Sequence, residues 1–326
     1  MPDRPDVLLI GTPKKFTVDK LETFVSLHVL ERATDADSLI ADLGPRARVA
    51  VVTGAPAAIT GAMMERLPKL ELVASFGVGY DNIDTPYCAA HGITVTNTPD
   101  VLTEEVADTT LGLLLCTIRE FPQAERYLRA GRWMQAAYPL TKATLRDRTI
   151  GIVGLGRIGK AIARRLDAFR VPVVYHSRNP QPDVPYRHYR SLVGMARDVD
   201  TLIVMTPGGA ATKNLINAEV LEALGPTGIV INMARGTVVD DEALIRALKE
   251  RRIHSAGLDV FLDEPEVPKE YLEMDHVVLF PHLGSATIHT RTKMEELVVD
   301  NVAAWAAGRP PLTPVPETPW PPARPV

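Results

Sequence analysis

Gly154, Gly156 and Gly159 stand at Gly-x-Gly-x-x-Gly spacing within Thr149-Ile-Gly-Ile-Val-Gly-Leu-Gly-Arg-Ile-Gly159. The chemistry this pattern suits is the binding of a dinucleotide pyrophosphate. Gly154 permits a tight turn, Gly156 lets the backbone come close to phosphate, and Gly159 lets the next helix pack on the preceding strand. Leu155, Arg157 and Ile158 lie between them, where a helix N-terminus offers free N–H groups and the positive end of its dipole. A second strand, Val171-Pro-Val-Val-Tyr175, follows at the βαβ distance, and the residues after it select the dinucleotide. An acidic side chain there would accept from a free 2′-hydroxyl and repel a 2′-phosphate, but the sequence reads His176-Ser177-Arg178. Ser177 offers a hydroxyl donor and Arg178 a guanidinium fork, so NADP(H) is expected in preference to NAD(H). The alternative is that Arg178 is a solvated loop charge and NAD binds anyway.

A second glycine-bearing stretch, Ser75-Phe-Gly-Val-Gly-Tyr-Asp-Asn-Ile-Asp84, follows another apolar strand, and its accessible N–H groups suit a small anion. The same residues also suit an ordinary loop entering a helix at Asp84.

Regularly spaced elements are needed to hold these turns. Short apolar runs at 7–10, 49–52, 72–75 and 94–96 read as buried strands, with helical patterns around 18–24, 37–43 and 59–67. Helices are expected at 103–120, where Glu104 and Glu105 open the first turn, and at 122–130, ending at Gly131. Trp133 follows in a loop; its first reading is core, with a subunit anchor or a pocket wall as alternatives. From Thr149 strands at 201–205, 228–231, 256–260 and 277–280 alternate with helices at 218–224 and 241–250, a doubly wound topology. A final helix at 287–307 precedes a proline-rich tail, 309–326, expected to run extended over the surface of the first domain.

With 326 residues, 46% hydrophobic and 23% charged, the chain has room for two domains of an ordinary globular protein. A net charge of -4 without a basic stripe argues against a nucleic-acid partner, and no stretch reaches transmembrane length. The N-terminus leads into only a short apolar run, so no secretory leader is expected. Cys88 and Cys116 lie in apolar, helical surroundings and read as buried thiols of a reducing compartment, so a cytoplasmic location is expected. His28, His91 and His188 lack metal-ligand spacing or carboxylate neighbours, and no metal is expected.

Open parallel sheets bind ligands beyond the carboxyl ends of their strands. The residues there are Ser177 and Arg178, Thr206-Pro-Gly-Gly209, Asn232-Met-Ala-Arg-Gly236, Asp259 with Asp263-Glu-Pro265, and Pro281-His-Leu-Gly-Ser285. Taken singly, Arg235 reads as a cap or surface charge, Glu264 as a turn residue and His282 as a core histidine. Together at successive strand ends of a dinucleotide fold, they point to catalysis.

The order Arg235, Glu264-Pro265, Pro281-His282-x-Gly284 resembles the D-2-hydroxyacid dehydrogenases. The resemblance covers nearly the whole chain, through Phe76-Gly-Val-Gly-Tyr-Asp81, Asn97-Thr-Pro99, Gly257-Leu-Asp-Val-Phe261 and the stretches above. Within that family the chain is most similar to the NADPH-dependent glyoxylate/hydroxypyruvate reductases, with hydroxyphenylpyruvate reductases close by. The resemblance implies an α/β fold of two doubly wound domains, a Rossmann NAD(P)-binding domain (99–285) inserted into a flavodoxin-like, discontinuous substrate domain (1–98 and 286–326). It implies that Arg235 holds the carboxylate and carbonyl of a 2-oxo acid, that His282 donates the proton, and that Glu264 orients the ring and stabilises the imidazolium. Backbone N–H groups at Val78 and Gly79 would complete the carboxylate site. Asp259 would accept from the nicotinamide carboxamide, Thr206 and Pro207 would wall the cofactor cleft, and Met233, Ala234 and Gly284 would line it. The implied activity is NADPH-dependent reduction of small 2-oxo acids to D-2-hydroxy acids by a homodimer. The alternatives are a reductase of bulkier 2-oxo acids such as hydroxyphenylpyruvate, or a dinucleotide-sensing module without turnover.

Overall fold

The computed structural model describes residues 4–54 and 57–322. It divides into two compact units, Met1–Leu102 with Thr287–Val326, and Thr103–Ala286.

In the first unit five strands, β1 (Asp6–Gly11), β2 (Ser26–Val29), β3 (Val49–Thr53), β4 (Leu72–Phe76) and β5 (Thr94–Thr96), form a parallel sheet in the order β2-β1-β3-β4-β5. This is the flavodoxin-like order. The central strands are continuous apolar runs because both faces are covered; Val7, Leu8, Val49, Val51, Leu72 and Val73 are fully buried. The C-terminal helix, Ile288–Ala306, belongs to this unit, and Met294, Val298, Val302 and Trp305 supply its buried stripe. Its Glu295 accepts from the backbone N–H and hydroxyl of Thr17 at 2.9 and 3.0 Å.

In the second unit seven parallel strands, β6 (Ile150–Val153), β7 (Val173–His176), β8 (Arg187–Tyr189), β9 (Thr201–Val204), β10 (Ile229–Asn232), β11 (Ser255–Leu258) and β12 (Val277–Leu279), run in the order β12-β11-β10-β9-β6-β7-β8. This is the Rossmann order, extended by one strand. The helix Thr103–Arg119 is locked to Arg157–Phe169 by Glu104 with Arg164 and Arg165 at 3.0 and 2.9 Å, and by Asp108 with Arg165 at 2.6 Å.

The structure departs from the sequence expectations in five places. β2 and β8, unexpected from the sequence, are edge strands whose Ser26-Leu-His-Val29 and Arg187-His-Tyr189 break the apolar run because one side meets solvent. The helix Leu192–Asp198, capped by Ser191, is likewise unexpected, being short and containing Gly194. Trp133 is 63% exposed in a short 3-10 turn and is not core. His28 does have a carboxylate neighbour, Asp6, at 2.7 Å across the β1–β2 pair. Finally, part of the tail is built in: Pro314 bridges Thr96 antiparallel, and Val315 is buried against the sheet edge. Among the described residues no helix is long and apolar enough to cross a membrane.

Candidate active site

The turn after β6 lies where the strand order reverses between β6 and β9, the position at which such sheets open a crevice. Gly154 has φ +100°, and a Cβ on it would lie 2.6 Å from the carbonyl oxygen of Met205, so only glycine fits. A Cβ on Gly159 would lie 2.3 Å from the Gly154 carbonyl oxygen, which is the close packing of helix on strand that the motif demands. Gly156 is different: a Cβ there would meet nothing within 4 Å. Gly156 is also the N-cap of Arg157–Phe169, and no side chain caps that terminus. Beside this open face the Thr206 hydroxyl is buried with no partner among the described residues. An open backbone face, an uncapped helix N-terminus and an unpartnered hydroxyl together fit a pyrophosphate. Pro207 follows Thr206 and is exposed, its carbonyl accepting from Thr212 at 2.7 Å.

At the end of β7 the Ser177 hydroxyl donates to the Asn179 carbonyl at 2.6 Å, so here it closes a local turn and is not an available donor. Arg178 is exposed and has no ion-pair partner among the described residues. The unexpected strand β8 holds this end in place, with His188 Nε2 3.0 Å from the Ser177 carbonyl and His176 Nδ1 2.9 Å from that of Tyr189.

Arg235, Glu264 and His282 come together from the ends of β10, β11 and β12. Asn232, buried at the end of β10, shapes the first of these turns by accepting from Ala234 N at 3.1 Å and donating to the Arg235 carbonyl at 3.0 Å. The guanidinium of Arg235 reaches the Ala234 carbonyl at 2.7 Å. Gly236 brings this turn against the next, since a Cβ on it would lie 2.0 Å from the backbone of Phe261. Glu264 then accepts from Phe261 N at 3.1 Å through one oxygen and meets His282 Nδ1 at 2.7 Å through the other. Burial pushes the Glu264 carboxyl up, but the hydrogen bond and charge of His282, the Phe261 N–H and the charge of Arg235 outweigh it and hold the carboxyl below its ordinary value. With Nδ1 committed to a carboxylate, Nε2 is the atom left to exchange a proton, and it has no partner among the described residues.

His282 has φ +51°, a costly conformation for a residue with a Cβ. Asp259 holds it there. Its carboxylate accepts from Leu283 N at 2.5 Å and Gly284 N at 2.9 Å, while its carbonyl accepts from His282 N at 2.9 Å. Burial pushes the Asp259 carboxyl up against the pull of those two N–H groups. From the other side Thr109 donates to the Gly284 carbonyl at 3.2 Å. Met233 lies in the same cluster, its Cε 3.3 Å from where a Cβ on Gly284 would be. The sequence resemblance did not reveal this clamping use of Asp259, and Asn232 and Thr109 were not singled out; a polar residue closing an apolar strand was the available signal for Asn232.

In the first unit the turn after β4 is gripped by the exit of β5. Gly77 N donates to the Thr98 hydroxyl at 3.1 Å, Thr98 N to the Gly77 carbonyl at 2.9 Å, and Asn97 Nδ2 to the Val78 carbonyl at 2.9 Å. The N–H groups of Val78 and Gly79 donate to nothing among the described residues. Lys14 Nζ and the Arg291 guanidinium lie 4.6 and 5.5 Å from the centroid of Phe76, so the turn begins beside two cations. Burial, then the charge of Arg291, holds the Lys14 ammonium below its ordinary value. Asp84 does open a helix, Thr85–Ala90, accepting from Tyr87 N at 3.0 Å.

Residues 111–284 match the model of the D-isomer specific 2-hydroxyacid dehydrogenase NAD-binding domain. The chain belongs to that family. Among relatives of this dehydrogenase, glyoxylate/hydroxypyruvate reductase A of Arabidopsis thaliana is 46% identical over 266 residues, 82% of this chain and 85% of the relative. Hydroxyphenylpyruvate reductase of Plectranthus scutellarioides shows the same identity and coverage. A crystal structure of an NADPH-dependent glyoxylate/hydroxypyruvate reductase from Sinorhizobium meliloti, in complex with NADP and malonate, is 49% identical. It superposes on the dehydrogenase with a TM-score of 0.93, covering 97% of this chain and 98% of that one.

Proposed function

We propose that this dehydrogenase reduces small 2-oxo acids, glyoxylate and hydroxypyruvate, to D-2-hydroxy acids with NADPH. The observation that carries the reading is the 2.7 Å pairing of Glu264 with His282 Nδ1 within the field of Arg235. The cofactor, when bound, supplies a hydride to the carbonyl carbon. Arg235 holds the substrate carboxylate and carbonyl oxygen by charged hydrogen bonds, with the free N–H groups of Val78 and Gly79 taking the carboxylate. His282 gives its Nε2 proton to the oxygen as charge develops there, and Glu264 stabilises the imidazolium and fixes the ring. Asp259 keeps that imidazole aimed by holding residues 282–284. Such a poised acid/base pair also argues against a sensing module without turnover.

On this reading the second unit binds the dinucleotide: the turn 154–159, Thr206 and Pro207 take the pyrophosphate side, and Met233, Ala234, Asp259, His282 and Gly284 line the nicotinamide side. The first unit takes the substrate. Arg178, and Ser177 once its hydroxyl turns from Asn179, contact a 2′-phosphate. The exposed apolar side chains Phe121, Leu128, Trp133, Met134 and Leu140 support a homodimer, for which light scattering is the test. Two free cysteines support a reducing, cytoplasmic location. The hydroxyphenylpyruvate reductase, as similar as the glyoxylate/hydroxypyruvate reductase of Arabidopsis, makes aromatic 2-oxo acids the second reading. Initial rates with glyoxylate, hydroxypyruvate and hydroxyphenylpyruvate, each with NADPH and NADH, separate the two; failure to reduce any of them would end the reductase reading.

A further inference from the structure

The C-terminal residues 313–317 make more specific contacts than a tail wrapped over a surface requires. Asn301, in the buried stripe of the helix Ile288–Ala306, accepts from Leu312 N and Thr313 N at 2.9 and 3.1 Å and donates to the Thr313 hydroxyl at 2.9 Å. The same amide also donates to the Leu297 carbonyl at 2.7 Å, one turn back in the helix, so the anchor is itself fixed in place. Thr313 passes the restraint on: its hydroxyl donates to the Asn97 carbonyl at 2.6 Å, and Asn97 Nδ2 in turn holds the Val78 carbonyl at 2.9 Å. Four residues later Glu317 accepts from the Tyr80 hydroxyl at 3.0 Å, closing on the other side of the same turn. Burial and the Glu317 carboxylate push the Tyr80 phenol up to about 12, so it stays a donor across the working pH range.

We infer that residues 313–317 are a strap that positions the turn 77–80, with Thr313 and Glu317 as positioning residues for substrate binding. One chain of hydrogen bonds ends on the Val78 carbonyl, whose peptide unit carries the free Gly79 N–H, and the other on the side chain of Tyr80, the residue that follows Gly79. A carboxylate bound by two backbone N–H groups depends on their mutual direction, which rotates when a flanking carbonyl is released. The inference rests on the assignment of that turn to the substrate carboxylate.

The test is the full-length double variant Thr313→Val with Glu317→Met, which nearly keeps the shapes and removes both hydrogen-bond chains, beside Thr313→Ser as the conservative control. Amide exchange across residues 76–82 is expected to speed up in the double variant. KM for hydroxypyruvate is expected to rise about three- to tenfold, the scale of one or two lost hydrogen bonds, with kcat and the NADPH Kd within twofold of the parent. Thr313→Ser is expected to restore both readouts at its position. Unchanged exchange would overturn the strap, and faster exchange with an unchanged KM would overturn its role in substrate binding. A parallel loss of kcat, NADPH affinity and melting temperature would reduce the contacts to general stability, which also overturns the inference. A parent enzyme that reduced no 2-oxo acid would sink the reductase reading instead, leaving the exchange result to decide the strap by itself.

Discussion

The turn after β4 and the turn after β6 both leave backbone N–H groups at the end of a parallel strand, yet they are held in different ways. The β6 turn is shaped from within: Gly154 takes a conformation other residues avoid, Gly159 admits its carbonyl, and a 13-residue helix starts at once. The β4 turn is held from outside, by Thr98 and Asn97 at the exit of β5 and by Glu317 in the tail. The difference matches the ligands proposed for them. A pyrophosphate can use a helix dipole and a run of N–H groups, whereas a single carboxylate needs two N–H groups fixed in direction.

If both turns only bind, chemistry belongs to the strand ends of β10 to β12, and the largest effect must come from there. His282→Ala is expected to lower kcat by about 10²-fold or more while leaving the NADPH Kd within about twofold, measured by steady-state rates and fluorescence titration. A loss in Kd comparable to that in kcat would move His282 into cofactor binding.

Glu264→Gln keeps the shape and removes the charge, so kcat is expected to fall about tenfold or more as the imidazolium loses its partner. It has a second consequence for stability. The folded Glu264 carboxyl lies below its ordinary value, so its ionised form contributes stability above the unfolded value of 4.5, and that contribution is lost as pH falls through the lowered folded value. Melting temperatures followed downward from pH 5 are expected to fall less steeply in the variant; parallel curves would show that the charge is not coupled to folding.

The comparison between the turns sharpens in a glycine pair. Gly156→Val points into open space and is expected to weaken NADPH binding about tenfold or more with the melting temperature of the free enzyme nearly kept. Gly159→Val collides with the Gly154 carbonyl and is expected to lower the melting temperature itself. The same response in both variants would mean that the β6 turn has no face reserved for ligand.

The smallest effect is expected at Arg178, which is exposed and therefore screened. Arg178→Ala should reduce the ratio of kcat/KM for NADPH over NADH by about three- to tenfold, through KM alone. An unchanged ratio would leave the end of β7 indifferent to a 2′-phosphate.

How much of this was legible beforehand depended on where each residue's partners lie. The glycine motif and the strands around it were readable because most of their causes are local: apolar runs buried on both faces, the positive φ of Gly154 and the packing of Gly159 on the Gly154 carbonyl. Edge strands β2 and β8 were not, because half-exposed polar residues leave no periodic signal. The positions of Arg235, Glu264 and His282 at strand ends followed from the alternation of strands and helices. Their meeting did not, since it needed Gly236 to let two turns touch.

By itself the sequence determined a doubly wound α/β chain, the dinucleotide turn and the set of polar residues at the strand ends, because short-range sterics and hydrophobic periodicity suffice for those. Tertiary structure alone decided that Asp259 clamps the strained His282 from 23 positions upstream, and that Glu317 reaches Tyr80 across 237 positions. A hydrogen-bond partner is whatever the fold brings within about 3 Å, and neither composition nor spacing records which groups those are.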